Sequence, residues 1–315
     1  MLNNAVRRVA ILAVLAATTV VTGTGCGTRP TASVGDPVIL AAPAPVEPPQ
    51  PLPLPQTAVP APPPARQDTP ATATTPASAP SAIDPAAVEA AAREVEPNTT
   101  LGAVVFDRVS GGTPLSLNAD QQFRSASLVK LLIAIDALHE GVSESRRERL
   151  VRMLSASDDD IASSFWVQLG PDLVPRVAKL VGLQNTEAPE LAGKWGEVKV
   201  TANDMVRVYQ YVMNDMPTED RELIVDALGR APQYAADDFD QYFGIPDGLD
   251  LQWAIKQGWG NNDHAMVLHS SGLVGAQWRY VVVLLTEHPL GSGWRTSANS
   301  VTAAAGALAG KLPGA

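Results

Sequence analysis

The sequence predicts an α/β (α+β) domain in which an antiparallel sheet is flanked by helices and interrupted by a helical subdomain. Three observations carry that expectation. Apolar, β-branched runs lie near both ends of the last three quarters of the chain: LGAVVFD from Leu101, then LQWAIKQGW, HAMVLHSSGLV and RYVVVLLTEH from Leu251 onward. Between them stands a block of segments with helical periodicity. The Pro-rich composition of the first quarter stops near Ser81, where that periodicity begins. Strands contributed from both ends, with helices inserted between them, make a layered α+β architecture.

Residues 1–25 read as an export signal. Arg7 and Arg8 precede an apolar run from Val9 to Val21, and Gly23, Thr24 and Gly25 follow. Basic, apolar and small, in that order, is the pattern of a secretory signal peptide. The run is shorter than the roughly 20 residues a membrane span needs. Cys26 comes next and is the only cysteine in 315 residues, so no internal disulfide is available. The ending resembles a bacterial lipobox. That resemblance implies a diacylglyceryl group on Cys26 and a lipid anchor on the outer face of a bacterial cell membrane. Thr24 and Gly25 suit the motif, whereas Gly23 stands where an apolar residue such as Leu is usual. An ordinary signal peptide with an incidental cysteine is the alternative.

Residues 26–82 read as the anchor cysteine followed by a tether. The stretch is rich in Pro, Ala and Thr, has no helical or strand period, and cannot bury enough surface to offset its chain entropy. Proline biases it toward extended polyproline II. A Pro-rich ligand for a partner domain is the alternative use.

Residues 83–315 read as one domain. Asp84 can cap the helix PAAVEAAAREV. The strand LGAVVFD and an alternating segment, TPLSLNADQQF, follow as a pair. The strongly apolar helix SLVKLLIAIDAL leads into SRRERLVRMLSA, DIASSFWVQLG, LVPRVAKLVGL, TANDMVRVYQYVM and EDRELIVDALG. Three strands and the alanine-rich helix SANSVTAAAGALAGKL close the chain.

Chemistry is expected where Ser127 and Lys130 open the most apolar helix. Residues three apart share a helix face, so hydroxyl and amine can meet. A serine is a poor nucleophile until a base takes its proton, and a desolvated lysine can serve. Lys130 lies inside LVKLLIAI, where a lysine without a role is costly. Two companions follow in order: Ser157-Asp158-Asp159 between helices, and Lys256-Gln257-Gly258 on a strand.

With these three motifs the domain, over about residues 83–313, resembles the class A β-lactamase and penicillin-binding-protein superfamily, whose signature is S-x-x-K, S-D-N and K-T-G. The resemblance implies a β-lactamase/transpeptidase-like fold and no cofactor. It makes Ser127 the acylated nucleophile and Lys130 its base partner. Ser157 would relay a proton, and Lys256 would attract a substrate carboxylate. The backbone N–H groups of Ser127 and Trp259 would form the oxyanion hole, with Asp159, Gln257 and Gly258 lining the substrate site.

The departures are as informative. Asp159 stands where the family has Asn, and a carboxylate cannot donate a hydrogen bond. Gln257 stands where the family has Thr or Ser, and its length is expected to crowd the pocket. The interval from Ser127 to Ser157 is short. For the deacylating glutamate of class A enzymes, Glu190 is the first positional candidate and Glu197 the second, both also compatible with solvated loop positions.

The formal charge of −10 argues against nucleic acid, which rewards basic surfaces. His139, His264, His269 and His288 show no metal-ligand spacing. Trp195, Trp259 and Trp294 fit either a core or a sugar-binding groove. Three functions stay open: an acyl-serine hydrolase acting on cell-wall peptide or a related amide or ester, a pseudoenzyme serving as an envelope binding or scaffold module, and a working β-lactamase.

Overall fold

A computed structural model of the chain describes residues 82–315. The export signal, Cys26 and nearly all of the tether lie outside the described residues. Among those described, no helix is long and apolar enough to cross a membrane.

The described part starts with α1 (Pro85–Val95), whose N-terminus is capped by the Asp84 carboxylate accepting from Ala86 N. Then come β1 (Thr100–Asp107), β2 (Leu115–Leu117) and β3 (Phe123–Arg124). A 3₁₀ turn over Ala126–Leu128 leads into α2 (Val129–Glu140). The helical subdomain contains α3 (Glu144–Ser155), α4 (Asp159–Leu169) and α5 (Leu173–Val181). After β4 (Lys199–Val200) follow α6 (Ala202–Asn214), α7 (Thr218–Gly229) and α8 (Ile245–Gly248). The chain ends with β5 (Trp253–Asn261), β6 (Met266–Val274), β7 (Tyr280–His288) and α9 (Trp294–Gly306). The sheet order is β2-β1-β7-β6-β5, and each neighbouring pair is antiparallel. β7, the last strand, pairs with β1, the first, along its whole length from Thr100↔Glu287 to Asp107↔Tyr280. The two ends of the domain therefore close one sheet, as the element order predicts.

Both sheet faces are covered, which is why strands such as YVVVLL read as apolar runs rather than alternations. Side chains one residue apart point to opposite faces. Val104, Val281, Val283 and Leu285 pack with α2 and the helical subdomain. Leu101, Ala103, Val105, Val282 and Leu284 pack with Val88 and Ala92 of α1 and Val301 and Ala305 of α9.

Two expectations need correction. TPLSLNADQQF is not one strand. Only Leu115–Leu117 pairs with β1, because Asn118 adopts a left-handed backbone (φ 44°) and turns the chain, its amide donating to Leu101 O. Phe123–Arg124 instead pairs with Lys199–Val200 in a separate two-stranded sheet. This small sheet brings the segment before Ser127 against the segment after Glu197. The last helix begins at Trp294 and ends at Gly306, earlier at both ends than its alanine content implies.

Candidate active site

Ser127 sits in the 3₁₀ turn, Lys130 in the first turn of α2, Ser157 between α3 and α4, and Lys256 on β5. The fold brings all four together. Lys130 Nζ lies 2.7 Å from Ser127 Oγ, 2.8 Å from Ser157 O, 3.1 Å from Ser157 Oγ and 2.5 Å from Asp159 Oδ1. Lys256 Nζ donates to Ser157 Oγ at 3.0 Å and to Gln257 O at 2.9 Å. Both lysines are sealed from solvent, at 0% and 1% exposure. Two lysine nitrogens donating to one hydroxyl occupy both lone pairs of Ser157 and leave its own proton free to donate.

The local backbone is strained where it presents these groups. Ala126 and Ser157 have φ of 43° and 56°, a region that costs non-glycine residues about 1–3 kcal/mol each. Gly258 answers a different need. A Cβ there would stand 3.0 Å from Ser125 O and 3.2 Å from the His269 ring, so glycine lets β5 lie against the Ser127 turn without displacing its neighbours. β5 is an edge strand. Main-chain groups alternate in direction along a strand. Gln252 O faces Gly275 N at the β6 side, whereas Gln257 O is reached by Lys256 Nζ. The N–H of Trp259, two residues beyond Gln257, accordingly falls on the open edge.

Burial pulls the Lys130 pKa below the ordinary lysine value, against the opposing pull of the Asp159 carboxylate. Lys256 is pulled well below it, first by burial and then by the charge of Lys130. Burial favours the neutral amine, the form that can accept the proton of a neighbouring serine hydroxyl.

A cavity of about 380 Å³ opens over Ser127, with Arg124, Asp159, Trp195, Glu197 and Trp259 in its lining. An adjoining one of about 300 Å³ is lined by Ser157, Asp158, Asp159, Asp160, Asp237 and Arg152, among others. Trp259 stacks on Phe239 (centroids 4.7 Å apart, 11° between planes), and its indole N–H donates to Asp237 Oδ2 at 3.0 Å. Trp195 lies 5.0 Å from Lys130 Nζ. Trp294 packs edge-on against Phe239 and is not among the residues lining the Ser127 cavity.

Two positions differ from expectation. Gln257 does not crowd the pocket. Its side chain is fully buried and donates to the backbone carbonyls of Gln241 (3.0 Å) and Phe243 (2.6 Å). Glu197, not Glu190, borders the Ser127 cavity, and Arg124 Nη1 donates to it at 3.1 Å. The β3–β4 pairing that places Glu197 there has no signature in its two-residue strands. Arg124, buried, and Asp237 were not singled out by the sequence. Asp237 lies in a loop without periodicity, and its place in the acidic run ADDFD is the one signal the sequence carries for it. His269 and His288 serve the interior, both with pKa lowered to about 4 by burial. His269 Nδ1 accepts from Thr286 N, and Nε2 donates to Arg124 O.

No family model matches the chain. A protein named "Putative lipoprotein LppW", from Mycobacterium tuberculosis and Mycobacterium bovis, is 34% identical over 202 residues, covering 60% of this chain. The match spans 64% of the length of those curated relatives. Among solved structures, PBP-A superposes with a TM-score of 0.57 at 18% identity, covering 73% of this chain and 97% of that one. The class A β-lactamase from Mycobacterium abscessus gives 0.54 at 18% identity, covering 70% and 97%. The β-lactamase from Streptomyces albus G gives 0.55 at 19%, with the same coverage. The described domain thus has the β-lactamase/transpeptidase-like fold.

Proposed function

We propose that this domain forms an acyl-serine at Ser127 with peptide-derived amides or esters of the bacterial envelope, and that Cys26 anchors it to the outer face of the membrane. The observation that supports the chemistry is the continuous chain of contacts from Ser127 Oγ through Lys130 Nζ and Ser157 Oγ to Lys256 Nζ, at 2.7, 3.1 and 3.0 Å. Neutral Lys130 takes the Ser127 proton as Oγ attacks the acyl carbonyl. The N–H groups of Ser127 and Trp259 stabilise the oxyanion. The leaving group departs with the bonding electron pair and a proton from Ser157, which Lys130 replenishes. Water then releases the acyl group, slowly, because the two carboxylates lining the Ser127 cavity are both engaged, Glu197 by Arg124 and Asp159 by Lys130. Intact-mass analysis of the full chain with a fluorophosphonate is expected to show one adduct, absent in Ser127→Ala. No adduct on the native chain would overturn the reading.

A second reading, a binding or scaffold module without turnover, is favoured by the Asp159–Lys130 ion pair, which holds the base in its charged form. The fluorophosphonate result separates the two.

The anchor rests on the sequence around Cys26 and on the lipoprotein name of the mycobacterial relatives. Cys26→Ala is expected to move the protein from the membrane fraction to the soluble fraction. Continued membrane association would remove the lipid anchor from the account.

A further inference from the structure

We propose that Asp159 selects acyl donors carrying a cationic group, and that this group frees Lys130 to activate Ser127 by drawing Asp159 away from it. The proposal deepens the acyl-serine reading and rests on it.

Four oxygens surround Lys130 Nζ: Ser127 Oγ, Ser157 O, Ser157 Oγ and Asp159 Oδ1. An ammonium has three protons to donate, whereas a neutral amine has two and one lone pair. The base form can donate to both Ser157 oxygens and accept from Ser127. It then has nothing left for Asp159. The carboxylate therefore competes with this base arrangement and favours the resting, charged form. At 2.5 Å, with Lys130 sealed from water, it is a close partner for that form.

Asp159 is also the member of this group that can leave. Its side chain is 63% exposed, and it lines both cavities, the one over Ser127 and the one beside Ser157. The second cavity presents Asp158, Asp159, Asp160 and Asp237 against one guanidinium, Arg152, which is already bound to Asp158. Asp237 is held by the Trp259 indole. A cation entering from this side meets negative potential and finds Asp159 able to turn toward it. The remaining charges facing the site are Lys256 on β5, Lys194 in the lining of the Ser127 cavity, and the Arg124–Glu197 pair beside Ser127. None can replace Asp159, because Lys256 and Lys194 are cations and Glu197 is engaged. Once Asp159 leaves, burial acts on Lys130 unopposed by its nearest anion, and the ammonium loses a proton to solvent.

The acyl transfer then balances as follows. Neutral Lys130 takes the proton of Ser127 Oγ, Oγ bonds to the acyl carbon, and the acyl–oxygen bond of an ester breaks with its electron pair on the leaving alkoxide or phenolate.

The test uses two p-nitrophenyl esters of nearly equal shape, the 4-guanidinobutyrate and the 4-ureidobutyrate, with p-nitrophenolate release and intact mass followed on the full chain. The guanidinium stays charged across the pH range, so only the protein titrates. The native chain is expected to be acylated about tenfold faster by the cationic ester. In Asp159→Asn the preference should vanish, with the neutral ester gaining rate. The sign for pH follows. Removing the carboxylate lowers the Lys130 pKa, so the rising limb of the neutral-ester profile should move to lower pH. A merely structural Asp159 would not shift that limb. Equal rates with the two esters on the native chain, or an unmoved limb in Asp159→Asn, overturns the proposal while acylation of Ser127 keeps the parent reading. Absence of any acylation, including by fluorophosphonate, overturns both.

Discussion

Replacing Lys130 with Met is expected to slow acylation of Ser127 by about 10²- to 10⁴-fold while raising thermal stability. The two effects have one origin. Lys130 is sealed inside α2, where a charge has lost its hydration and is incompletely repaid by its partners. Its one anionic contact, Asp159, is mostly solvated and is not left as a buried orphan when the lysine goes. Methionine fills nearly the same volume with a flexible apolar chain. Exchanging buried charges for apolar groups stabilises by about 1–4 kcal/mol in favourable cases. The low end applies, because Ser127 and Ser157 each lose a hydrogen-bond partner. Fluorophosphonate labelling rates and a thermal melt on the same preparation check both halves. A variant that melts lower and still labels at the native rate would make Lys130 a structural residue.

That contrast bears on what the sequence could tell. The cost of a lysine within LVKLLIAI marks Lys130 from the sequence alone, and the order of Ser127, Ser157 and Lys256 marks the residues the fold brings beside it. The sheet was legible because β1, β5, β6 and β7 are long enough for their apolar runs to be unambiguous. β3 and β4 were not, since strands of two residues carry no period. Yet their pairing brings Arg124 and Glu197 to the cavity, so the ranking of Glu190 over Glu197 failed for want of that contact. Gln257 failed for another reason. Sequence position places a residue on a strand but does not say which backbone carbonyls await its amide. Gln241 O and Phe243 O belong to a loop that folds back from a distance no local rule reports. The role of Asp159 was half legible: the loss of an amide donor could be read directly, whereas its contact with Lys130 required the structure.

Penicillin G is expected to acylate the native chain very slowly and to leave an adduct that does not turn over. In this chain Asp159 offers no hydrogen-bond donor to the side-chain carbonyl, its charge opposes the penicillin carboxylate, and it holds Lys130 as an ammonium. Asp159→Asn relieves all three and is expected to raise the acylation rate by about 100-fold, the effect of a few kcal/mol in the transition state. The neutral 4-ureidobutyrate ester gains only from the release of Lys130, so penicillin should gain more than it does. Gln257→Thr is expected to act on stability instead. It removes the amide that satisfies two buried carbonyls, at about 1–3 kcal/mol for each group left unpaired. That loss is partly offset because Gln257 Oε1 is itself buried without a partner. The double variant should therefore melt lower than Asp159→Asn without acylating faster. Mass spectrometry over time, with and without Ser127→Ala, follows the adduct, and a melt follows the second substitution. Efficient multiple-turnover hydrolysis by the native chain would sink the prediction and make this domain a working β-lactamase.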